Sequence, residues 1–347
     1  MIIALSEKEA RPVKHYGKHA VRFMLILALL LQLGACGSTG TVEKTNKTAF
    51  VLDTSCTITI YGGSRADNEK LLEGCFALCE EYENLLSTTR ETSDIYKLNH
   101  RQTDSVSEET AALLQKGLDY GARTGGAFDI TIEPLSSLWN FDAASPSVPP
   151  ADDISKAARA VNYKNVRVSG TSVSFADEDT QIDLGGIAKG YIADRIAAYL
   201  RQAGCAHALI NLGGNVLCVG GKPDGTPFTV GIEKPFEGSS IASVQIRDLS
   251  VVTSGVYERC FYENGRLYHH ILDPKTGYPF DNGLLSVTVI GPSSCDCDAL
   301  STSCFALSLD AGLDLVAANQ GYYAIFVTND YQLHFSDGAE TLVNVSD

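Results

Sequence analysis

The chain has 347 residues, of which 44% are hydrophobic and 20% are charged, and its formal net charge is −15 at pH 7. This composition is typical of a globular protein and excludes an intrinsically disordered one, and the length suits one large domain or two modest ones. Because no cluster of Lys and Arg follows residue 22, we expect neither nucleic acid nor anionic lipid as a partner of the mature surface.

The first 36 residues have the layout of a signal peptide. Three basic residues, Lys14, Lys18 and Arg22, precede the apolar run 23–33, and small residues then lead to Cys36. At about 1.5 Å per residue, an apolar helix of about 11 residues cannot cross a hydrocarbon layer of roughly 30 Å, so the run is not a permanent span. The ending LGAC resembles a bacterial lipoprotein box, which implies that Cys36 is acylated; an ordinary cleaved signal with an incidental cysteine is the alternative. We expect export and a lipid anchor on the outer face of the cytoplasmic membrane or on the periplasmic side.

The segment after Cys36 is small and polar, which predicts a flexible tether over 37–48. No clean boundary divides the remainder, so 49–347 is predicted to form one functional domain. Nine further cysteines are an odd number that cannot all pair within the chain. Since their spacing does not favour structural zinc, we expect mostly reduced, buried thiols.

Hydrophobic periodicity along the domain predicts an α+β fold, with mixed, largely antiparallel sheets packed with helices. Amphipathic helices are predicted over 66–86, 107–124, 152–160, 190–203 and 298–309. Strands are predicted over 49–61, 208–219, 228–233, 243–247, 251–253, 284–290, 323–328 and 333–335, with hairpins at 166–175 and around Asn264-Gly265.

Residues 125–131, GGAFDIT, depart from ordinary core patterning. Glycines allow a backbone to approach a ligand closely, and Trp139 and Phe141 farther along could offer flat apolar surfaces to a planar ligand. The alternative is a turn followed by core aromatic residues.

Residues 183–191, DLGGIAKGY, lie where a strand meets a helix. Unpaired N–H groups at a helix start, together with Lys189, favour a phosphate there. The spacing of a Walker loop is absent, which excludes a nucleotide triphosphatase of that type. The alternative is a plain turn with a solvated lysine, and a further glycine pair at 213–214 is most simply a turn.

Residues 269–277, HHILDPKTG, and 298–302, DALST, complete the polar segments. His270 beside an Asp-Pro turn is suited to act as a base or to bind phosphate. Asp298 and Thr302 are four residues apart on a predicted helix, so their oxygens face the same way. Oxygen-only ligands favour Mg²⁺ over zinc, although Asp298 could instead be a helix cap.

Seven sequence motifs, in this order along the chain, resemble those of the FAD:protein FMN transferase family, also called the ApbE family. They are LSTTRETSDIYKLN from Leu86, GAFDITIEPLSSLWNFD from Gly126, DLGGIAKGYIADRIA from Asp183, LINLGGN from Leu209, SGVYER from Ser254, HHILDPKTGYP from His269 and DALST from Asp298. The resemblance covers nearly all of 49–347, which it implies is a catalytic domain of ApbE-like, T-fold-related architecture.

The resemblance implies a reaction that uses FAD and Mg²⁺. A Ser or Thr hydroxyl of a target flavoprotein attacks the pyrophosphate of FAD, FMN becomes esterified to that hydroxyl, and AMP leaves. The metal ion would neutralise charge that develops on the phosphoryl oxygens. Extracytoplasmic subunits of membrane redox complexes are the expected acceptors, because the tether would hold the site near them.

The resemblance also implies a role for particular residues. The metal ligands are the backbone carbonyl of Gly186 and the side chains of Asp298 and Thr302, with Ser301 adjacent. His270 is the base or orienting group, and Asp273 could orient it. At two flavin-side positions the chain departs from the family, which often has Met-Gly-Thr where this chain has Leu52-Asp53-Thr54 and Tyr where it has Thr89. Contacts to FAD are implied for Leu52, Thr89, Ala127, Phe128, Asp129, Asp183, Lys189 and Leu272.

Two other functions would use the same pocket. One is an FAD pyrophosphatase, in which water replaces the protein hydroxyl and the products are FMN and AMP. The other is a flavin-binding lipoprotein without catalysis, against which the paired Asp298 and Thr302 argue.

Overall fold

The computed structural model describes residues 43–345. The predicted signal peptide, Cys36 and tether residues 37–42 lie outside this range. The helices are α1 (Arg65–Leu86), α2 (Asp94–Asn99), α3 (Glu108–Arg123), α4 (Glu133–Trp139), α5 (Ala151–Ala160), α6 (Ala188–Gln202) and α7 (Ser294–Ala317). The strands are β1 (Lys44–Val51), β2 (Thr54–Tyr61), β3 (Val166–Ser169), β4 (Ser172–Phe175), β5 (Ala208–Leu212), β6 (Asn215–Val219), β7 (Phe228–Glu233), β8 (Ser240–Ile246), β9 (Ser250–Gly255), β10 (Cys260–Glu263), β11 (Arg266–His269), β12 (Leu284–Gly291), β13 (Tyr323–Thr328), β14 (Leu333–Phe335) and β15 (Val343–Val345).

An eight-stranded sheet in the order β1-β2-β5-β6-β9-β12-β13-β14 organises the described residues, and its neighbouring strands run antiparallel. Side chains alternate across it: Leu217 and Val219 of β6 join the large core formed with the helices, whereas Cys218 faces a smaller core. That smaller core is shared with the three-stranded sheet β15-β8-β7. The architecture is helices, large sheet and small sheet, which confirms the predicted α+β, largely antiparallel fold.

Serine caps set the starts of several helices. Ser64, Ser107 and Ser293 each accept a hydrogen bond from a backbone N–H of the first turn. Such a cap satisfies one of the four N–H groups that a helix start leaves unpaired. Since α7 begins after Ser293, Asp298 lies in the second turn, and the alternative that Asp298 caps the helix is wrong.

The predicted strand 49–61 is in fact a hairpin that begins earlier, at Lys44. Leu52 and Asp53 form its turn with φ of 56° and 54°. The Asn-Gly pair that usually marks such a turn is missing, so the strand pattern appeared continuous. The last residues of the predicted tether, 44–48, belong to β1 because they pair with β2. Likewise 208–219 is two strands joined at Gly213-Gly214.

The helix predicted over 298–309 is longer at both ends, with a break at Ser308, where φ is 66°. It is long and apolar enough to meet a simple criterion for a membrane span, but it packs against α6, β9 and β12 as a core helix of the domain. Sequence patterning missed the short elements α2, α4 and β15. Within the described range the nine cysteines are free, and seven of them are buried.

Candidate active site

The start of α6 lies directly on the first two turns of α7. A Cβ on Gly190 would overlap the backbone oxygen of Ser294 and lie 2.7 Å from Cα of Cys295. The Gly190 N–H donates to Oδ2 of Asp298 at 2.9 Å. Glycine is therefore required at position 190, and the close approach joins the segments 183–191 and 298–302.

The predicted metal ligands come together where these two helices meet. A Cβ on Gly186 would lie 3.6 Å from Oγ1 of Thr302 and 3.1 Å from the ring of Phe128. The Ser254 hydroxyl on β9 lies 3.0 Å from the Thr302 hydroxyl and 2.8 Å from that of Ser301. Ser301 is fully buried and also donates to the backbone oxygen of Asp298, so it supports the site from within instead of facing a ligand.

This donor set fits a hard divalent cation. A backbone carbonyl, a carboxylate and a hydroxyl are all oxygen ligands of the kind that Mg²⁺ prefers. The Asp298 carboxylate makes one side-chain hydrogen bond among residues 43–345, to the Gly190 N–H, which leaves its other oxygen available. Within the same range, no group of three or more His, Cys, Asp or Glu side chains is placed so that it could hold a metal ion.

Lys189 supplies the positive charge of the site. Its Nζ donates to the backbone oxygen of Gly185 at 3.3 Å, and the side chain is half-buried. Burial raises the pKa of Asp298, while the charge of Lys189 and the Gly190 N–H oppose that rise. Burial lowers the pKa of His270 and the Lys189 charge adds to that lowering, whereas for Glu258 burial raises the pKa and the Lys189 charge opposes the rise. Lys189 therefore contacts its own loop, and its charge acts on Asp298, His270 and Glu258, so it is not merely a solvated side chain.

His270 and His269 have opposite environments. His269 is buried and satisfied, with Nε2 2.9 Å from the backbone oxygen of Phe280 and Nδ1 accepting from the Ile271 N–H at 3.3 Å. In contrast, Nδ1 of His270 is buried without a hydrogen-bond partner among the residues described. Burial lowers the pKa of His270 well below its usual value, as do the charges of Arg259 and Lys189, so the imidazole is neutral at neutral pH. A neutral ring with a free nitrogen suits a proton acceptor.

Asp273 does not orient His270, contrary to expectation. Its Oδ1 accepts from the Lys275 N–H at 2.9 Å, and its Oδ2 accepts from the Thr276 hydroxyl at 3.0 Å. Both oxygens thus serve the turn of the DPKTG loop. The aspartate of an Asp-Pro turn commonly bonds its own loop in this way, which accounts for the difference.

Two of the implied FAD contacts are structural residues. The Asp129 carboxylate is buried and accepts from the Thr131 N–H, the Thr131 hydroxyl and the Tyr163 N–H. Leu272 is buried beside Trp139 and Leu135. Neither side chain is open to a ligand in this conformation.

Trp139 also belongs to the core. It is 1% exposed, donates from Nε1 to the backbone oxygen of Gly277 at 2.8 Å, and stacks on Phe141 with an interplanar angle of 6°. The alternative prediction, that the aromatic residues after 125–131 belong to the core, is therefore correct, and Trp139 does not present a flat face to a ligand.

The remaining implied contacts lie on loops and turns. Asp183 is half-buried, its Oδ1 accepts from the Gly185 N–H at 2.7 Å, and its own N–H donates to the Ile130 oxygen, which links 125–131 to 183–191. Ala127 and Leu52 are half-buried, and Phe128 packs against Gly186. Thr89 is exposed after α1 and lies 3.1 Å from the Ser87 hydroxyl.

Sequence reasoning assigned no role to several residues that line or support the site. Glu258 has an oxygen 3.8 Å from a Cβ placed on Gly214, and desolvation raises its pKa against the charges of Lys189 and Arg259. Burial and the nearby Asp183 raise the pKa of Glu133 to about 7. The only sequence signal for these two residues was that Glu258 lies in the motif SGVYER and Glu133 in the motif that contains ITIEPL.

Known proteins resemble this chain over most of its length. The ApbE family model matches residues 52–326. The FAD:protein FMN transferase of Treponema pallidum (strain Nichols) is 33% identical over 347 residues, which cover 94% of this chain and 96% of the relative. A protein of the same name from Klebsiella pneumoniae (strain 342) is 40% identical over 276 residues, or 78% of this chain and 85% of the relative.

Solved structures agree with these matches. The crystal structure of the ApbE protein of Thermotoga maritima has a TM-score of 0.80 at 31% identity and covers 86% of this chain and 99% of its own. The flavin transferase ApbE of Vibrio cholerae has a TM-score of 0.78 at 27% identity, with 87% and 99% covered. The contacts described above bring several of the sequence motifs together at one site. Taken with these contacts, the matches show that the chain belongs to the ApbE family.

Proposed function

We propose that this chain transfers FMN from FAD to a Ser or Thr hydroxyl of a target protein, with Mg²⁺ as cofactor and AMP as the second product. The observation that carries the proposal is that Gly186, Asp298 and Thr302 lie together beside Lys189, where the start of α6 contacts α7. The relatives named FAD:protein FMN transferase, to which the chain is similar over most of its length, support this activity.

The chain's own residues would hold the pyrophosphate and the metal ion. The Gly186 carbonyl and the Asp298 and Thr302 side chains would bind Mg²⁺, which supplies neutralisation of charge on the phosphoryl oxygens. Lys189 would attract the same phosphates, since an ammonium is a compact point charge. Glycines 185 and 186 allow the backbone to approach the ligand closely.

The bond changes balance without a further reactant. The acceptor hydroxyl oxygen forms a bond to the phosphorus of the FMN half, and the bond from that phosphorus to the bridging oxygen breaks. AMP leaves with that oxygen. His270 is neutral, and its Nδ1 has no hydrogen-bond partner among residues 43–345, so His270 would take the hydroxyl proton.

The test is incubation of the purified protein with FAD, Mg²⁺ and a peptide that contains a Thr. We expect flavin fluorescence on the peptide that survives denaturing electrophoresis and that disappears when EDTA removes the metal ion. Free FMN and AMP without labelled peptide would instead establish an FAD pyrophosphatase. If FAD remains intact under all conditions, the chain is at most a flavin-binding protein.

We propose further that Cys36 carries lipid and that the enzyme acts outside the cytoplasm on subunits of membrane redox complexes. The LGAC ending after an 11-residue apolar run supports the anchor. We expect the parent protein to incorporate labelled palmitate and to sediment with membranes, and the Cys36→Ala variant to do neither. A variant that is still labelled and membrane-bound would contradict the assignment.

A further inference from the structure

The first turn of α7 is held by a carboxylate from α6. Asp194 accepts hydrogen bonds from the Ser293 hydroxyl at 3.0 Å, the Ser294 N–H at 2.9 Å and the Cys295 N–H at 3.0 Å. A negative charge with several donors at a helix start is a strong, directional contact.

Asp194 lies four residues after Gly190 on α6, so both project from the same face of that helix. Gly190 contacts α7 at Ser294 and donates to Asp298, one turn into α7. Together they hold α7 against α6 at the first turn of α7 and at Asp298. The helix α6 begins two residues after Gly186 and includes Lys189, whereas α7 carries Asp298 and Thr302.

Other contacts hold the same turn of α7 from other directions. The Ser294 hydroxyl lies 2.6 Å from Oδ1 of Asn215 and 2.9 Å from the Ser250 hydroxyl, which ties it to the large sheet. Asp296 pairs with Lys116 at 2.7 Å and accepts from Tyr120 at 2.8 Å, which ties it to α3. Of these partners, Asp194 alone lies on the helix that begins at the site.

We propose that Asp194 is a positioning residue for the metal site: it sets the distance between the Gly186 carbonyl and the Asp298 and Thr302 side chains. Because a helix is stiff over one turn, a shift at Ser294 and Cys295 is carried to Asp298. Misplacement by about 1 Å can lower a rate by about 10²-fold. This inference rests on the proposed function for the identity of the metal site, but its test does not depend on turnover.

The experiment measures binding of Mn²⁺, a paramagnetic substitute for Mg²⁺, by electron paramagnetic resonance in the presence of FAD. We expect Asp194→Ala to raise the Mn²⁺ dissociation constant about 10-fold, the scale of losing a residue that supports a ligand. Asp194→Asn keeps one acceptor oxygen and should give an intermediate value, and it decides the question if the alanine variant fails to fold.

Asp94→Ala is the matched control. The Asp94 carboxylate accepts from the Ser107 N–H at 2.9 Å and the Thr110 hydroxyl at 2.8 Å, so it holds the start of α3 in the same manner. We expect both alanine variants to melt at lower temperature, but Asp94→Ala to bind Mn²⁺ like the parent protein.

Four outcomes separate the two proposals. Weakened Mn²⁺ binding in the Asp194 variants alone supports positioning, even if the parent protein transfers no flavin and the proposed function fails. Unchanged binding in Asp194→Ala overturns the inference while an active parent protein keeps its function. Equal weakening in Asp94→Ala also overturns the inference, because it indicates a general loss of stability. A parent protein that binds no Mn²⁺ overturns it as well.

Discussion

Replacing Asp298 with asparagine should lower the rate of AMP release from FAD by about 10³-fold, at the upper end of what loss of one charge-stabilising group removes. An amide oxygen can still accept the hydrogen bond from the Gly190 N–H, which is 2.9 Å away, so the crossing of α6 and α7 should survive. The change removes the negative charge that faces Lys189 and would bind Mg²⁺. Rates measured over a range of Mg²⁺ concentrations check the result.

Asp310→Asn is the matched control for this prediction. Asp310 is exposed on the same helix, so the same loss of charge there should leave the rate within about 2-fold of the parent protein, as is usual for surface changes. If Asp298→Asn kept more than a tenth of the parent rate with the same dependence on Mg²⁺, Asp298 would not be a metal ligand.

The Gly190→Ala variant should lose both stability and activity. The added Cβ would overlap the Ser294 oxygen and lie 2.6 Å from the Ser294 carbonyl carbon, and these are backbone atoms that cannot rotate away. Overpacking of this kind costs about 3 kcal/mol of unfolding free energy. Because relief requires α6 and α7 to separate, we also expect about a 10²-fold loss of rate. Urea unfolding followed by circular dichroism and an AMP-release assay measure the two effects.

Gly74→Ala provides the comparison within another helix, α1. The Cβ there would meet the phenol end of Tyr199, at 2.6 Å from Cζ, and that end can swing aside. Better helix propensity, about 1 kcal/mol, offsets the adjustment, so we expect little net change in stability and none in rate. Similar losses in both variants would mean that the crossing at Gly190 has no particular importance.

The elements that sequence patterning located best were those with long, regular periodicity. The helix over 66–86 and the hairpin at 166–175 were predicted nearly to the residue. The apolar positions of the helix repeat about every 3.6 residues, and a Ser-Gly-Thr turn separates the two alternating strands of the hairpin. The hairpin at Leu52-Asp53 was missed, since Leu rarely adopts positive φ and no glycine or asparagine marks the turn. The start of α7 was placed four residues late because Cys295 and Cys297 do not show a helical apolar stripe.

At the site, the sequence motifs identified residues that the fold does bring together, among them Gly186, Asp298 and Thr302. They could not distinguish a ligand-facing side chain from a structural one, because that depends on which partners tertiary contacts supply. Asp273 uses its carboxylate within its own loop, whereas Asp129 accepts both from Thr131 nearby and from the Tyr163 N–H, which is distant in sequence. Asp194 was not visible as a functional candidate, since its three partners lie about 100 residues away in sequence.

The most direct test of the central claim is the ratio of two products formed by the parent protein. AMP released from FAD and flavin attached to a Thr of the acceptor, identified by mass spectrometry, should appear in equal amounts and only with Mg²⁺ present. We expect a ratio of about one throughout the reaction, because one pyrophosphate bond breaks for each phosphoester formed. AMP that accumulates together with free FMN, or FAD that stays intact beside the acceptor, would contradict a flavin transferase.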